Sequence, residues 1–266
     1  MGEEVLWFGR KAVFDGETLK IYVNSEDKYG FSLSHKPLYV RLKNLRQSFS
    51  TGVLEKPFRI ASGVSLLTGD DKFIFYIREP LSYVYPYRLQ DFSGMLKYGM
   101  SLFRNALFEL MTEVVVLDNV SDQPYFIAPD GAKSSWLVDL FKKTLRLLSM
   151  TTGKDYSEFV DVVAKSEKVG NVEPYKIVLY RDGREVEVSR GYFGYDERTN
   201  GLEILYVFRL PLYSSDIYGY AMEPYVSPLV FLSAKSIVNT FDSYFTPRLL
   251  VLKRLLTGEG ILGEAE

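Results

Sequence analysis

The sequence predicts a mixed α/β fold, in which helices pack on a sheet of parallel and antiparallel strands. Two Asp-Gly pairs, Asp15-Gly16 and Asp182-Gly183, each separate two apolar runs, which is the short-range pattern of a β-hairpin. Apolar residues at helical spacing mark several other segments. Strands and helices follow one another without a repeat or linker long enough to divide the chain, so we expect one domain, residues 1–266.

The first 55 residues are predicted to form a β-rich extension of that domain. The stretch "KAVFDGETLKIYV" gives the first hairpin, and "KPLYVRLKNL" gives a third strand. Residues 56–245 are predicted to form the core of the domain, and residues 246–266 a C-terminal helix and tail. Thr246 and Pro247 favour the start of this helix, since threonine caps helices and proline suits the first turn.

The core is expected to begin with strands. We predict one strand at Phe58–Ala61, a turn or bulge at Ser62-Gly63, and a second strand at Phe73–Ile77 after the turn-forming "TGDD". The aromatic stretch "YVYPYRL" is expected to be extended, with its tyrosines packed on a sheet; a base-stacking platform is the alternative.

Helical spacing follows over residues 93–111, with Asp91 or Ser93 as the expected cap. This helix leads directly into "EVVVLDNV", which predicts a buried strand that ends at Asp118. A second amphipathic helix is predicted around residues 137–148.

The remaining segments continue the mixed pattern. "EFVDVVAKSEKVG" favours a strand, with the end of a helix as the alternative. "KIVLYRDGREVEV" favours the second hairpin, and "LEILYVFRLPL" another strand. A helix is predicted from Pro228 through "PLVFLSAKSIVNTFDSYF".

Composition excludes several classes of site. The chain has 266 residues, a formal net charge of −2, no cysteine and one histidine, His35, so thiolate chemistry, disulfides and His-rich metal sites are excluded. No P-loop, G-x-G-x-x-G or G-x-S-x-G motif occurs. The chain as a whole lacks a basic footprint for nucleic acid, although its 32 Lys and Arg allow a local basic patch. Few thermolabile residues fit a thermophile's protein.

The expected location is the cytoplasm. The N-terminus carries Glu3 and Glu4 instead of a basic region followed by an apolar core, and no apolar run reaches 18 residues.

Carboxylate side chains remain as candidate ligands of a catalytic metal ion. A carboxylate at the end of a buried strand can hold a divalent metal, and Asp118 occupies such a position. Asp122 and Asp130 follow in the next loop, where turn formation is the more ordinary role of an aspartate. A strand-end acid that accepts hydrogen bonds from loop N–H groups is the alternative for Asp118 itself.

The order of elements resembles the NurA family of nucleases, which have an RNase H-like fold and act with the HerA helicase in DNA end resection. The stretches "FRIASGVSLL", "FELMTEVVVLDNV", "FVDVVAKSEKVG" and "GYAMEPYVSPLVFLSAKSI" carry the likeness, over roughly residues 55–240. It implies an RNase H-like mixed sheet flanked by helices, with Asp118 next to the Ser62 strand. It also implies a homodimer, and HerA-type helicase or DNA as partner.

Departures from the family pattern imply a degraded nuclease centre. Ser62 and Ser233 stand near positions where the family has an acid and a histidine, and Glu109 comes late in its helix. A hydroxyl is a poor substitute for a carboxylate on a divalent ion. We therefore expect a non-catalytic or weakly active NurA-like protein that acts as a binding or regulatory component in DNA repair.

Two rival hypotheses remain open. One is an active nuclease that uses Asp118 with Glu109, Asp122 or Asp130 on Mn²⁺ or Mg²⁺. The other is a structural or interaction protein of a thermophile or its virus.

The resemblance also suggests contacts with nucleic acid, from Lys165, Tyr220 and Tyr225. Surface exposure of the lysine and packing of the tyrosines are the ordinary alternatives. Lys97 and Arg104, seven residues apart, would share one helix face.

Overall fold

The computed structural model describes most of the chain. The described residues are 4–31, 53–80, 82, 85–118, 124–127, 160–162, 167–196, 199–210, 212–221 and 227–258.

The described residues form a mixed α/β structure with one large sheet and few helices. The first strands are β1 (Glu4–Phe14), β2 (Thr18–Val23), β3 (Lys28–Phe31), β4 (Val53–Leu67), β5 (Lys72–Ile77), β6 (Leu89–Gln90) and β7 (Phe92–Met95). Helix α1 (Leu102–Glu113) follows, and then β8 (Val114–Asp118), β9 (Pro124–Ile127) and β10 (Val160–Val162).

The second half adds strands and two helices. The strands are β11 (Tyr175–Arg181), β12 (Arg184–Asp196), β13 (Gly201–Arg209), β14 (Ile217–Ala221) and β15 (Ser227–Ser233). The helices are α2 (Ala234–Asn239) and α3 (Pro247–Thr257), and single 3-10 turns lie at Ser214–Asp216 and Asp242–Tyr244. No helix within the described ranges has both the length and the hydropathy that a membrane span requires.

Six strands of the sheet close into a ring. Along the sheet the order is β10-β9-β8-β14-β15-β5-β4-β13-β12-β11-β2-β1-β3, and β1 also pairs with β4. The ring therefore runs β4-β13-β12-β11-β2-β1 and returns to β4. Within it, β13 with β4 and β11 with β2 are parallel pairs, and the other pairs are antiparallel.

Strand β13 shows how the two faces of the sheet are used. Leu202, Ile204 and Tyr206 belong to the core inside the ring and beneath α1. The intervening Leu205 and Val207 belong to a second core on the opposite face, where α2 and α3 pack. Because side chains alternate across a strand, a strand apolar on both faces must be covered on both.

Several predicted elements are confirmed. Both hairpins form at their Asp-Gly turns, and the glycines have φ of 99° at Gly16 and 76° at Gly183. The strand after α1 ends at Asp118, and Thr246 occupies the N-cap of α3 with Pro247 in its first turn. The predicted strand at "KPLYVRLKNL" and the helix around residues 137–148 lie outside the described residues.

Other predictions are wrong for identifiable reasons. The predicted helix over residues 93–111 begins only at Leu102, because Phe92–Met95 pair with β4 as a strand. Strand β4 continues through Ser62-Gly63 without a turn. The helix predicted from Pro228 is mostly strand β15, which pairs with β5. In each case sheet pairing overrides a local helical pattern.

The stretch "YVYPYRL" is also not extended throughout. Tyr85 and Tyr87 have left-handed backbones, with φ of 56° and 60°.

The RNase H-like arrangement is wrong as well. It places the Asp118 strand beside the Ser62 strand, whereas β14, β15 and β5 lie between β8 and β4 in the sheet.

Candidate functional site

Asp118 is the last residue of β8, at the position that the sequence predicts. Its backbone neighbour across the sheet is Ile217 of β14. Three strands separate it from Ser62, so these two positions do not meet at one site. Within the described part of the chain, no group of three His, Cys, Asp or Glu residues is arranged to hold a metal ion. Coordination of Mn²⁺ or Mg²⁺ by Asp118 stays a prediction.

Glu109 points into the protein from α1 instead of lying on a solvated helix face. It is only 4% exposed, and its carboxylate forms an ion pair with Lys97. A Cβ added to Gly94 would lie 2.4 Å from the Glu109 carboxyl carbon, so the glycine leaves room for the carboxylate. Glu109 thus has a structural role as the partner of Lys97, and a catalytic role stays untested.

The two serine positions also have structural roles. Ser62 is fully buried and accepts a hydrogen bond from Asn105 Nδ2 at 3.1 Å. Ser233 caps α2, since its hydroxyl accepts from the backbone N–H of Ser236 at 3.1 Å.

The other candidate residues are distributed as follows. Tyr220 lies in β14, between Val115 of β8 and Pro228 of β15. Lys97 precedes α1, and only Arg104 of that predicted pair lies on the helix. Outside the described residues lie Lys165, Tyr225, Asp122, Asp130 and His35.

A buried ionic cluster joins α3 to the sheet, and no local sequence pattern predicts it. The Nε of Arg248 donates to Asp91 Oδ1 at 2.9 Å, and its Nη1 donates to Glu203 Oε2 at 3.0 Å. Arg248 Nη2 also donates to the Ser93 hydroxyl. Burial raises the pKa of Asp91 and of Glu203, although Arg248 opposes that rise at both. With its acids bound to an arginine in the interior, this cluster fastens a helix and offers no open site.

A candidate binding site with more exposed side chains than the ionic cluster lies on the outer face of the ring, on β2 and β11. These two strands pair in parallel, with Tyr180 opposite Tyr22 and Val178 opposite Lys20. The alternate residues of both strands, including Leu19 and Leu179, point into the core. Because side chains alternate, the tyrosines and Lys20 point outward together.

The two tyrosines stack on each other. Their ring centroids are 4.9 Å apart and their planes differ by 12°. Neighbouring strands place side chains of one face at stacking distance, so the register of β2 against β11 produces the pair. No other ring within the described residues stacks on either tyrosine, and both tyrosines are partly exposed.

Basic residues surround the stacked pair. Lys11 of β1 lies opposite Tyr22, and Lys176 of β11 lies opposite Arg190 of β12. Lys11 pairs with Glu55 at 2.8 Å, and Lys20 approaches Asp15 at 3.5 Å. Lys176 and Arg190 are both exposed, and neither forms an ion pair with any other residue that the structure describes. We call Tyr22, Tyr180, Lys20, Lys176 and Arg190 the tyrosine face.

The charge of this face differs in sign from that of the chain. Its outward positions carry the four cations Lys11, Lys20, Lys176 and Arg190 against three carboxylates, those of Asp15, Glu55 and Glu185. The chain as a whole has a net charge of −2. Cations beside open aromatic faces can hold phosphates and planar rings at the same time.

The sequence pattern indicates part of the tyrosine face. In "TLKIYV" and "YKIVLYR" polar and aromatic residues alternate with apolar ones, which marks an outward face on each strand. The parallel pairing of β2 with β11, whose paired residues are 158 positions apart, was not predictable from the local pattern.

Comparison with known proteins identifies no family. No family model matches the chain, and no curated protein matches it. Among solved structures, a NUDIX hydrolase from Nitrosomonas europaea is 9% identical with a TM-score of 0.36, covering 75% of this chain and 88% of its own. A NUDIX hydrolase from Alicyclobacillus acidocaldarius is 14% identical with a TM-score of 0.34, covering 75% of this chain and 91% of its own.

A third similar structure is a larger protein. It is a bifunctional NMN adenylyltransferase/ADP ribose pyrophosphatase from Francisella tularensis, in complex with AMP and a manganese ion. The identity is 11% and the TM-score 0.41, and the match covers 77% of this chain but only 43% of the Francisella chain. With TM-scores below 0.5, these likenesses assign neither a fold family nor a function.

The NurA resemblance is nevertheless wrong. No family model supports NurA. The strand order also separates the two motifs that the resemblance brings together. NurA-like DNA processing is therefore wrong, and its nuclease alternative is not favoured. The interpretation of Ser62 and Ser233 as degraded catalytic positions stays untested.

Proposed function

We propose that this chain is a binding protein that holds single-stranded nucleic acid across its tyrosine face. The observation that carries the proposal is the Tyr22–Tyr180 stack with two exposed cations, Lys176 and Arg190, farther along the same face of the sheet. This is a role in binding, distinct from the NurA-like end resection that the strand order contradicts.

The chemistry of the face favours unpaired bases. An aromatic ring can stack on a base only if the base is not already covered on both sides by a duplex. Stacking is tolerant of sequence, and it contributes about 1–3 kcal/mol per base. The partly exposed rings of Tyr22 and Tyr180 supply the stacking surface, and the cations supply contacts to the phosphates.

The dimensions of the face favour a polymer over a mononucleotide. Tyr180 and Lys176 lie four residues apart on the same side of β11. At about 3.3 Å per residue, their Cα atoms are separated by roughly 13 Å. A single strand that lies along β11 can place a base against Tyr180 and a phosphate near Lys176, so its affinity would come from several weak contacts along the strand.

The direct test is binding of a fluorescein-labelled oligothymidylate of about 20 nucleotides, followed by fluorescence anisotropy at low salt. Replacement of both tyrosines, Tyr22→Ala with Tyr180→Ala, should weaken binding about 5- to 150-fold, which corresponds to about 1–3 kcal/mol. Tyr213→Ala is the matched control, because Tyr213 is an exposed tyrosine outside the tyrosine face, and it should leave affinity unchanged.

Salt dependence tests the cations separately. Lys176→Gln and Arg190→Gln should each reduce the slope of log K against log salt by about 0.7, the value for one contact to a single strand. Lys235→Gln, at an exposed position on α2, should not. Absence of binding by the wild-type protein, or unchanged binding by the double tyrosine variant, would overturn the proposal. Equal affinity for a duplex, or competition by thymidine monophosphate at millimolar concentration, would exclude single strands as the occupant.

A further inference from the structure

The outward side chains on the tyrosine face form rows that run across the strands. In the row that contains the tyrosine stack, Glu185 of β12 lies opposite Tyr180, and Tyr180 lies opposite Tyr22. Tyr22 in turn lies opposite Lys11 of β1, and Lys11 lies opposite Glu55 of β4. This row therefore begins and ends with a carboxylate, and the two tyrosines lie between them.

A second row, four residues away along β11, carries cations on β11 and β12. Lys176 lies opposite Arg190, and both side chains are exposed. Between the two rows, β11 and β12 present Val178 and Val188, which lie opposite each other. Val188 is 51% exposed. On these two strands the surface from Tyr180 to the cations is therefore apolar, and no charge interrupts it.

Lys11, at the other side of the tyrosine stack, is neutralised within the chain. Its Nζ lies 2.8 Å from Glu55 Oε1, and both side chains are exposed. A hydrogen bond from Lys11 lowers the pKa of the Glu55 carboxyl, so this group stays charged at neutral pH. An exposed ion pair is weak, but its local net charge is zero. A phosphate that approaches Lys11 therefore releases few counterions and meets a carboxylate.

Lys20 lies near a carboxylate that its own hairpin turn holds in place. Asp15 Oδ1 accepts from the N–H of Thr18 at 2.8 Å and of Glu17 at 3.1 Å, and Asp15 Oδ2 lies 3.5 Å from Lys20 Nζ. These backbone hydrogen bonds lower the pKa of Asp15, so it also stays charged at neutral pH. The outward lysines of β1 and β2 thus each have a carboxylate neighbour, in contrast to the row of cations on β11 and β12.

We infer that the carboxylates of Glu55 and Glu185 determine the path of the nucleic acid, an inference that rests on the proposed binding function. A single strand lies along β11, with bases against the tyrosines and phosphates on Lys176 and Arg190. It does not cross the sheet along the row of the tyrosines, because its phosphates would meet a carboxylate at either end. Glu55 and Glu185 are in this sense specificity-determining residues, and Lys11 contacts no phosphate.

The salt dependence of binding counts the phosphates in contact. With the labelled oligothymidylate, Lys11→Gln should leave the slope of log K against log salt unchanged, because its charge is already balanced by Glu55. Lys176→Gln should reduce the slope by about 0.7, the value for one contact to a single strand. Both changes remove one exposed lysine charge from the same face, so the difference between them reports the path of the strand.

Removal of the carboxylate should create a new contact. In Glu55→Gln, Lys11 has lost its ion-pair partner, so affinity should rise and the slope should steepen by about 0.7. Addition of Lys11→Gln to this variant should restore the wild-type slope. Asp242→Asn is the matched control, because it removes a carboxylate 2.7 Å from Lys253 on α3, outside the tyrosine face. It should change neither affinity nor slope.

Glu185→Gln tests the other end of the row. It removes a charge without separating an ion pair, so it should raise affinity at low salt. The gain should disappear at high salt, where screening shortens the reach of a charge. Each variant replaces an exposed side chain, and thermal melting checks that it is folded.

Failure of this inference is distinguishable from failure of the binding function. A wild-type protein that binds no oligothymidylate overturns both. If the wild type binds, two results overturn the path and leave the binding function intact. The first is a Lys11→Gln slope reduced as much as that of Lys176→Gln. The second is a Glu55→Gln or Glu185→Gln variant that binds no more tightly than the wild type at low salt.

Discussion

The guanidinium group of Arg248 lies against the carboxylate of Asp91, with Nε 2.9 Å from Oδ1 and 3.1 Å from Oδ2, and both side chains are almost fully buried. Arg248 is in the first turn of α3, and Asp91 lies between β6 and β7. The pair therefore connects the C-terminal helix to the middle of the sheet, and Arg248 also forms an ion pair with Glu203 of β13.

Replacement of Arg248 should lower the free energy of unfolding. Arg248→Met leaves two carboxylates buried without their cation, and we expect a loss of about 3–5 kcal/mol in the free energy of unfolding at pH 7. Urea denaturation measures it. Arg254→Met, at an exposed position on the same helix, is the control and should change stability by less than about 0.5 kcal/mol. A loss below 1 kcal/mol for Arg248→Met would show that the cluster does not hold α3.

The Glu203 carboxyl should make stability fall as pH rises. Its pKa is raised above the ordinary 4.5 mainly by burial, so the folded state binds its proton more tightly than the unfolded state. Its favourable contribution is complete below pH 4.5 and is lost as pH rises through the raised pKa. Glu203→Gln cannot ionise, so it should gain stability relative to wild type as pH rises from about 4 to 8.

Asp70 provides a control of opposite sign for the same titration. Hydrogen bonds from Ser214 lower its pKa below the ordinary 3.8, so its contribution is present above pH 3.8 and lost as pH falls further. Asp70→Asn should therefore be less stable than wild type at neutral pH, with the difference shrinking in acid. Urea midpoints between about pH 2 and 8 check both variants. A Glu203→Gln curve parallel to wild type would contradict a raised pKa.

Gly63 should not tolerate a side chain. A Cβ there would lie 2.3 Å from Ser93 Cβ and 2.6 Å from the Phe92 carbonyl oxygen, because β7 runs close against β4. Backbone cannot move aside cheaply, so Gly63→Ala should cost about 1–3 kcal/mol. Gly69→Ala is the matched control, since its nearest contact would be 3.4 Å away. Thermal melting distinguishes the two, and equal midpoints would mean that β7 can shift.

The local pattern was sufficient where short-range chemistry decides the structure. Asp-Gly turns and the Thr246-Pro247 helix start were predictable because their geometry depends on adjacent residues. Residues 93–101 have helical spacing but partly form β7, because β4 offers hydrogen-bond partners that a helix there would leave unpaired.

The surroundings of the candidate site residues depend on long-range contacts that the local sequence does not predict. The sequence places Glu109 late in its helix without indicating that it is buried, and it is buried because Gly94 leaves space and Lys97 supplies the charge. Asp118 is correctly predicted at a strand end, yet the strand order places Ser62 three strands away. Strand order is set by packing of the whole sheet, which a family-like succession of elements does not encode.

The sequence by itself determined the mixed α/β class, the two hairpins, the strand to Asp118 and the exclusion of cysteine chemistry, because each follows from composition or from neighbouring residues. Only the tertiary structure decided which outward faces meet. Tyr22 and Tyr180 stack because two strands far apart in sequence pair in parallel, and Arg248 is buried because α3 returns to the sheet at Asp91. Long-range pairing is stabilised by cooperative burial across the whole fold, and no local pattern specifies it.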